Sequence, residues 1–483
     1  MRDPPRAVGG MQAARTGGEH MIEILEHSVA VQSHRLAGDS AHSAAAAFRR
    51  RLVPIVLIAV TVAATMAYTL MWEPEVAHHS FWIVPGDLWG TFRTAQFVAW
   101  GDIGNVYSSG GGLVSLPGIS VALAPAALLL NHLGLSIGFP IAISHPTDWL
   151  VLGPYATVLG AIVLVPLDGL AEQLGLGQRA RAVSSISEAV VLWPVLAIWG
   201  HPEDSLAMAF ALWGLMAAMR GRWRATGWFW GLALVMQPLV VLMLPIVFAL
   251  VPRHERPRFA LRSVLPSAAL VAIPLAQSWR QTTTALLKQP NYPTVDHATP
   301  WLSLAPVLSK SHPVSAGRIH ESTLSSGGTQ FTVSVVHSIY GETVAAGPGR
   351  LIAIGLSLLL GIWVYRHRPT PETIVWLCCV ALSLRCVFEA VMNPYYLWPP
   401  LALAFVLVVR SRWRFALAVV ASGVLTWWSY RHLGPWEWWA PVVILLGLVV
   451  ISAHPARATP DTAVAQAEWR GADSSREAIK ALV

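Results

Sequence analysis

The sequence predicts an all-α, polytopic membrane protein of about ten transmembrane helices, with a re-entrant helical hairpin and further helices in outer-face loops. Three observations carry this class. Of the 483 residues, 54% are hydrophobic and only 12% are charged, against about 25% charged in a soluble domain. Mean hydropathy is +0.53. Apolar windows that reach or approach the ~20 residues needed to cross a bilayer recur along nearly the whole chain, and their continuity excludes a transmembrane barrel, whose strands alternate.

Residues 1–47 are polar and rich in Ala, Ser and Gly without periodicity, so they read as a disordered cytoplasmic tail. A polytopic domain follows over 48–452, and 453–483 reads as a second cytoplasmic tail. The first apolar run, 52–72, follows Arg49, Arg50 and Arg51. It is longer than a signal-peptide core and reads as a retained signal anchor. The other candidate spans are 148–172, 182–199, 203–219, 259–278, 350–366, 372–392, 396–409, 414–430 and 438–452. The plasma membrane is the expected location, with several passes and the functional face outside.

The net charge of +7 does not point to nucleic acid, because the arginines sit in short clusters between apolar segments and act as topology signals. The clusters are Arg49 to Arg51, Arg179 with Arg181, Arg220 to Arg224, Arg253 to Arg262, Arg366 with Arg368, and Arg410 to Arg414. All can be cytoplasmic if residues 226–251, TGWFWGLALVMQPLVVLMLPIVFALV, begin and end on one side. Gln237 and Pro238 lie in the middle of that run, where proline removes a helix hydrogen bond, and two half-helices forming a hairpin are expected. One kinked helix is the alternative and would reverse every later assignment. Residues 113–133, broken by Pro117, Gly118 and Pro125, suit a re-entrant or outer-surface helix. The three cysteines, Cys378, Cys379 and Cys386, share one apolar stretch and are assigned to packing.

This topology puts most of the unusual polar residues on the non-cytoplasmic side. Asp87 precedes the helix-like run LWGTFRTAQFVAW, so it is either an N-cap carboxylate or a general base at the membrane boundary. Arg93 is a phosphate ligand or a snorkelling interfacial arginine. His201, Glu203 and Asp204 crowd one turn, where they can cap the next helix, hold a divalent ion or position hydroxyls. A single such turn has too few ligands for a metal site, and none is assigned. In QPNYPTVDHATPW, three prolines stiffen a loop presenting Asn291, Tyr292, Asp296 and His297. Aromatic faces beside amides and carboxylates suit carbohydrate, although an interfacial aromatic belt explains the aromatics equally well. Arg385 and Glu389, four apart on one helix, form either a self-paired bridge or a phosphate ligand with its orienting partner. Tyr395 and Tyr396 stand at the mouth of the same helix.

The segments GDLWGTFRTAQFVAWGDIGNVYS, GHPEDSLAMAFALW, RWRATGWFWGLALVMQPLVVLMLP, QPNYPTVDHATPW and NPYYLWPPLAL occur in an order that resembles the membrane glycosyltransferases of the GT-C fold. The likeness is greatest to actinobacterial polyprenyl-phosphomannose-dependent mannosyltransferases and covers roughly residues 50–452. It implies transfer of a sugar, mannose by analogy, from a polyprenyl-phosphate carrier to a lipid-linked or polysaccharide acceptor outside the cytoplasm, with inversion. Asp87 then takes the place of the acidic base in the first outer loop. The carrier phosphate would be faced by cations drawn from Arg93, Arg280 and Arg385, and sugar hydroxyls by His201, Asp204, Asp296 and His297. The carrier is a substrate, so no cofactor is expected; the partners are the bilayer, the donor and the glycolipid or polysaccharide acceptor. Many relatives carry Lys where this chain has Gln237. A secondary transporter or flippase is the alternative, though it predicts inverted repeats and a midplane site that the sequence does not display. A non-catalytic scaffold is a third.

Overall fold

A computed structural model describes residues 50–71, 85, 87–108, 113, 115–135, 146–326 and 329–455. The expected terminal tails and much of the loop 73–147 lie outside the described residues. The chain divides into two compact units, residues 1–53 and 54–483. Of the first, only the start of one helix is described, and the second carries every feature below.

The described chain is mainly helical. Helices α1 (Leu52–Met71), α2 (Leu88–Ala99), α3 (Gly118–His132), α4 (Pro146–Ala161), α5 (Leu164–Gln173), α6 (Gln178–Pro194), α7 (Pro202–Met219) and α8 (Trp223–Met236) make the first half. A 3-10 turn over Pro238–Met243 leads to α9 (Leu244–Leu250), α10 (Arg256–Gln277) and α11 (Trp279–Lys288). Short strand β1 (His297–Ala298), a hairpin of β2 (Val307–Ser326) and β3 (Thr329–Val344), then α12 (Gly349–His367), α13 (Pro371–Phe388), β4 (Val391–Met392), α14 (Trp398–Val408), α15 (Arg412–Ser429) and α16 (Pro435–Ser452) complete it.

Among the described residues, seven helical segments are long and apolar enough to cross a membrane: Leu52–Thr69, Trp149–Gln173, Gln178–Trp199, Arg253–Gln277, Gly349–His367, Pro371–Phe388 and Pro435–Ser452. The predicted spans 203–219, 396–409 and 414–430 are helical but fall outside this set. The first opens with Glu203 and Asp204, and the second forms an 11-residue helix. Apolar side chains such as Val56, Val60, Leu261, Val264, Leu351 and Leu359 point outward and exposed, as lipid-facing surfaces do. In contrast α7 is buried along nearly its whole length, with only Phe210 and Trp213 partly exposed, and it runs through the centre of the packed core.

Local chemistry explains the helix boundaries. Proline occupies an early position of α7, α10, α13, α14 and α16, where its missing N–H costs nothing. The Thr370 hydroxyl accepts from the Thr373 N–H and caps α13. The three cysteines are unpaired and buried; the thiols of Cys379 and Cys386 donate to the carbonyls of Pro400 and Tyr396.

The run 226–251 breaks at Gln237, whose backbone is extended (φ −154°, ψ 125°). Helix α8 rises about 21 Å over 14 residues. The 3-10 turn and α9 cover a similar length, about 22 Å, in 13 residues. The two ends meet, since Ala218, Arg220 and Trp223 line the same cavity as Leu250, Arg253, Arg256, Arg368 and Pro371. The run therefore begins and ends at one end of the bundle, as its flanking arginines required. Arg410, hydrogen-bonded to Glu372 at 3.4 Å, belongs to that end too. Helices α7 and α13, each 18 residues and about 27 Å long, connect it to the opposite end, where Asp87 lies.

The long antiparallel hairpin is a departure from an all-helical chain. Its register runs from Val307 opposite Val344 to Ser326 opposite Thr329, with irregularities between Val307 and Ile319. The run FTVSV, residues 331–335, alternates Phe and Val with Thr and Ser, a short stretch of strand period.

Candidate active site

Asp87 occupies the N-cap position of α2, but its side chain makes no capping bond. Oδ2 instead lies 2.8 Å from His201 Nε2, and His201 Nδ1 lies 2.6 Å from Glu203 Oε1. One imidazole thus joins two carboxylates from distant parts of the chain. The backbone that permits this is unusual. Helix α6 passes into a π-helical turn, Val195–Trp199, that ends on Gly200 in the left-handed region (φ +74°). A Cβ at Gly200 would stand 2.6 Å from Leu88 Cβ and 2.8 Å from Pro85 Cβ. Glycine is therefore demanded both by the backbone conformation and by the close approach of the Asp87 segment. The Asp87 N–H donates to the Trp199 carbonyl at 3.2 Å, and the His201 N–H to the Val195 carbonyl at 3.1 Å.

The three groups differ sharply in exposure. The Asp87 side chain is 65% exposed, whereas those of His201 and Glu203 are 10% and 8% exposed. Burial works against a charged ring at His201, but the adjoining Glu203 and Asp87 carboxylates outweigh it and hold the pKa well above the ordinary histidine value. The ring is then an imidazolium that donates from Nε2 to Asp87 and from Nδ1 to Glu203. It also stacks on Tyr395, with centroids 3.8 Å apart and planes at 26°. Tyr395 in turn meets Trp199 at 5.7 Å and Tyr396 at 4.7 Å. Asp204, one residue beyond Glu203 and fully buried, faces the charges of His201, Glu203 and Arg385 and the Gln237 amide. Neither of its oxygens has a well-formed hydrogen bond. Gln237 also accepts from the Ser115 hydroxyl at 3.1 Å, so the break in 226–251 faces the same polar cluster.

The loop at 289–301 reaches the site from a distant part of the sequence. Strands β1 and β4 pair His297 with Met392 and Ala298 with Val391. The Thr299 hydroxyl donates to the Glu389 carbonyl at 2.6 Å, and the Trp301 indole to the Val387 carbonyl at 2.8 Å. This zipper places Asp296 within electrostatic reach of Asp87 and His201. Burial, then the charge of Asp87, raise the Asp296 pKa to about 7, against the pull of the Asn393 amide and His201. Burial, Asp296 and Asp87 likewise raise the pKa of Tyr292. His297 lies parallel to Trp438 at 4.3 Å and 4°, and stacks on His432 at 5.0 Å. Burial, then the charge of His432, lower its pKa to about 4, so it is a neutral wall of the site.

Arg385 lies with its guanidinium carbon 3.4 Å from the centre of the Tyr396 ring. Its Nε is 4.0 Å from Glu389 Oε1, so the expected self-paired bridge is at most a long one. The nearer partner of Glu389 is Arg350, which also bonds Gln289.

Three expected ligands stand apart from this cluster. Arg93 and Arg280 are exposed, and neither pairs with a carboxylate among the described residues. Arg93, six positions after Asp87, lies about 120° around α2 from it and does not share its face. Asn291 is structural: its backbone pairs with Val344 through two hydrogen bonds of 2.8 and 3.0 Å, and its amide donates to the Gln289 carbonyl. Conversely, sequence reasoning missed Arg350, which reads only as the start of a span, and did not single out His432 and Trp438 within HLGPWEWW. Trp199 was also missed, its only signal being the apolar run that ends at Gly200.

A comparison with protein-family models finds none that matches this chain, and a comparison with curated proteins finds no match. The chemistry therefore has to be read from the site itself. An exposed carboxylate, fixed by a buried imidazolium and backed by a second buried carboxylate, keeps its lone pairs free on the open side. Such a group can accept a proton in a defined direction. Around it stand a carboxyl that titrates near neutrality, aromatic faces, and the cation of Arg385.

Proposed function

We propose that the chain is a membrane glycosyltransferase that moves a sugar, mannose by resemblance, from a polyprenyl-phosphate carrier to a lipid-linked or polysaccharide hydroxyl. The observation that carries this reading is the exposed Asp87 carboxylate held by buried His201 and Glu203 at the end of the bundle opposite the arginine clusters. If those arginines face the cytoplasm, as positive charge near span ends does, Asp87 faces outward at headgroup depth, where a carrier anchored by its tail presents its phosphosugar.

In the proposed reaction the acceptor oxygen attacks the anomeric carbon while its proton passes to Asp87. The bond between that carbon and the phosphate oxygen breaks, and its electron pair leaves with polyprenyl phosphate. A single displacement inverts the anomeric centre. The imidazolium of His201 keeps Asp87 aimed, and Glu203 keeps His201 charged. Arg385, held over Tyr396, lies within the cluster to answer the phosphate charge. Asp296 and Tyr292 are disposed to bond sugar hydroxyls, and the partly exposed Trp199 offers an apolar face to ring C–H groups.

The test is transfer of radiolabel from polyprenyl-phosphate mannose to a lipid extract by the purified protein, with Asp87→Asn beside the wild type. The expected result is loss of transfer in the variant with donor binding and melting temperature retained. Equal transfer by both removes Asp87 from the chemistry, and transfer by neither, with a substrate gradient dissipated in vesicles, favours a transporter.

A further inference from the structure

The opposite end of the bundle carries a second feature that the proposed chemistry does not use. Between the start of α8, the end of α9, the start of α10 and the α12–α13 connection lies a cavity of about 630 Å³. Arg220, Arg253, Arg256, Arg368 and His254 line it, and its lining contains no Asp or Glu. Among the described residues none of those four arginines is paired with a carboxylate. The acids nearest in sequence are engaged elsewhere: Glu255 with Arg258 at 3.6 Å, and Glu372 with Arg410 at 3.4 Å. Unpaired guanidinium groups around a concave wall favour an anion that several of them can contact together.

The cavity opens into a groove. Ala249, Arg256 and Tyr365 line both it and an adjoining space of about 340 Å³ whose walls are otherwise apolar, formed by Leu244, Pro245, Phe248, Leu358, Gly361 and Ile362. Tyr365 organises the junction. Its hydroxyl accepts from Arg253 Nη2 at 2.6 Å and Nε at 3.1 Å, and the Arg256 guanidinium lies 5.0 Å from its ring and 5.3 Å from that of Phe248. Gly361 lets α12 pack closely on α9 beside the groove, since a Cβ there would stand 2.6 Å from the Pro245 carbonyl oxygen. Leu358 and Ile362 leave about half their surfaces exposed along it.

A basic cavity at the end of the spans, continuous with an apolar groove running along them, has the polarity of a lipid. The alternative occupant, a free anion, would account for the arginines but not for the groove. We propose that this cavity and groove bind one anionic phospholipid of the leaflet opposite the Asp87 site, its phosphate among Arg253, Arg256 and Arg368 and one acyl chain between Phe248 and Leu358. The site is about 27 Å from the Asp87 cluster, the length of α7, and does not depend on the reading of that cluster.

The experiment is native mass spectrometry of the full-length protein released from detergent, titrated with dioleoyl phosphatidylglycerol or with dioleoyl phosphatidylcholine. The wild type is expected to retain one phosphatidylglycerol in preference to phosphatidylcholine, and inorganic phosphate at millimolar concentration is expected not to displace it. The double variant Arg253→Ala with Arg256→Ala should weaken retention about tenfold or more, as loss of charge-assisted bonds does. Leu358→Glu should weaken it as well, and Arg258→Ala, on the neighbouring surface, should not. Equal retention of the two lipids by the wild type overturns the proposal without reference to any variant. So does displacement by phosphate together with normal retention in Leu358→Glu, which would define an anion site with no place for a chain.

Discussion

Replacing Glu203 by Gln isolates the role of charge at the centre of the candidate active site. The change keeps the size of the side chain and leaves an oxygen 2.6 Å from His201 Nδ1, but it removes a negative charge from beside a buried ring. Charge centres about 4 Å apart interact by roughly 4 kcal/mol at an effective dielectric of ~20. That attraction is the largest influence opposing the burial of His201. Without it, burial regains the upper hand and the ring becomes neutral at lower pH. A neutral ring that donates from Nδ1 to the new amide oxygen presents a lone pair, not an N–H, to Asp87, so the base loses its fixed direction. Because Asp87 is largely exposed, the lost bond is worth the low end of a charge-assisted hydrogen bond, about 1.5 kcal/mol, and transfer at neutral pH should fall roughly tenfold. The signature lies in the pH profile. The pKa of folded His201 is raised, so stability and activity that depend on its charge are complete below the unfolded-state value and vanish as pH rises through the folded value. In Glu203→Gln that alkaline limb should move to lower pH, with activity restored on acidification. Rates of transfer measured from pH 5 to pH 9 provide the check, and superimposable alkaline limbs in the two proteins would refute the charged-imidazole account.

Asp296 makes the opposite prediction. Its pKa is raised to about 7, so the folded state binds a proton that the unfolded chain has already released, and stability falls as pH climbs from the ordinary carboxylate range toward 7; Asp296→Asn should flatten the melting temperature over that interval, and an unchanged slope would show that Asp296 does not carry it. Trp438, fully buried against His297 and donating to the Ser429 carbonyl at 3.2 Å, should cost about 3–5 kcal/mol on replacement by Ala, read as a fall in melting temperature and as faster proteolysis within the 289–301 loop.

The membrane class and most helix positions were legible because they depend on composition and length, which a single sequence displays directly. The break at Gln237-Pro238 was legible for a similar reason, since proline acts on its own neighbours. Part of the polar cluster was legible too. His201, Glu203 and Asp204 are too close together to be incidental, and Asp87 stands at a helix start. What the sequence could not display was which partner each would choose. Asp87 passes over the helix it begins and bonds His201, because Gly200 lets two backbones approach. Glu389 turns mainly to Arg350, 39 positions earlier, in preference to Arg385 four positions away, because α13 ends at Phe388 and Glu389 itself is extended (φ −68°, ψ 140°), off the helix face that Arg385 occupies. The hairpin at 307–344 is not among the elements the sequence predicts, because clear alternation is confined to FTVSV, residues 331–335, a short part of a 16-residue strand.

The imidazole at His201 also sets a timetable for biosynthesis. Asp87 leaves the ribosome early, but Tyr395, which stacks on His201, follows about 300 residues later, and Trp438, which backs His297, later still. At roughly 5–20 residues per second, the first helices wait on the order of twenty seconds or more beside the insertion machinery before the last part of the site arrives. His201 and Glu203 follow Asp87 by little more than a hundred residues, so its direction can be set well before the aromatic wall arrives, but no partially inserted chain has a complete site.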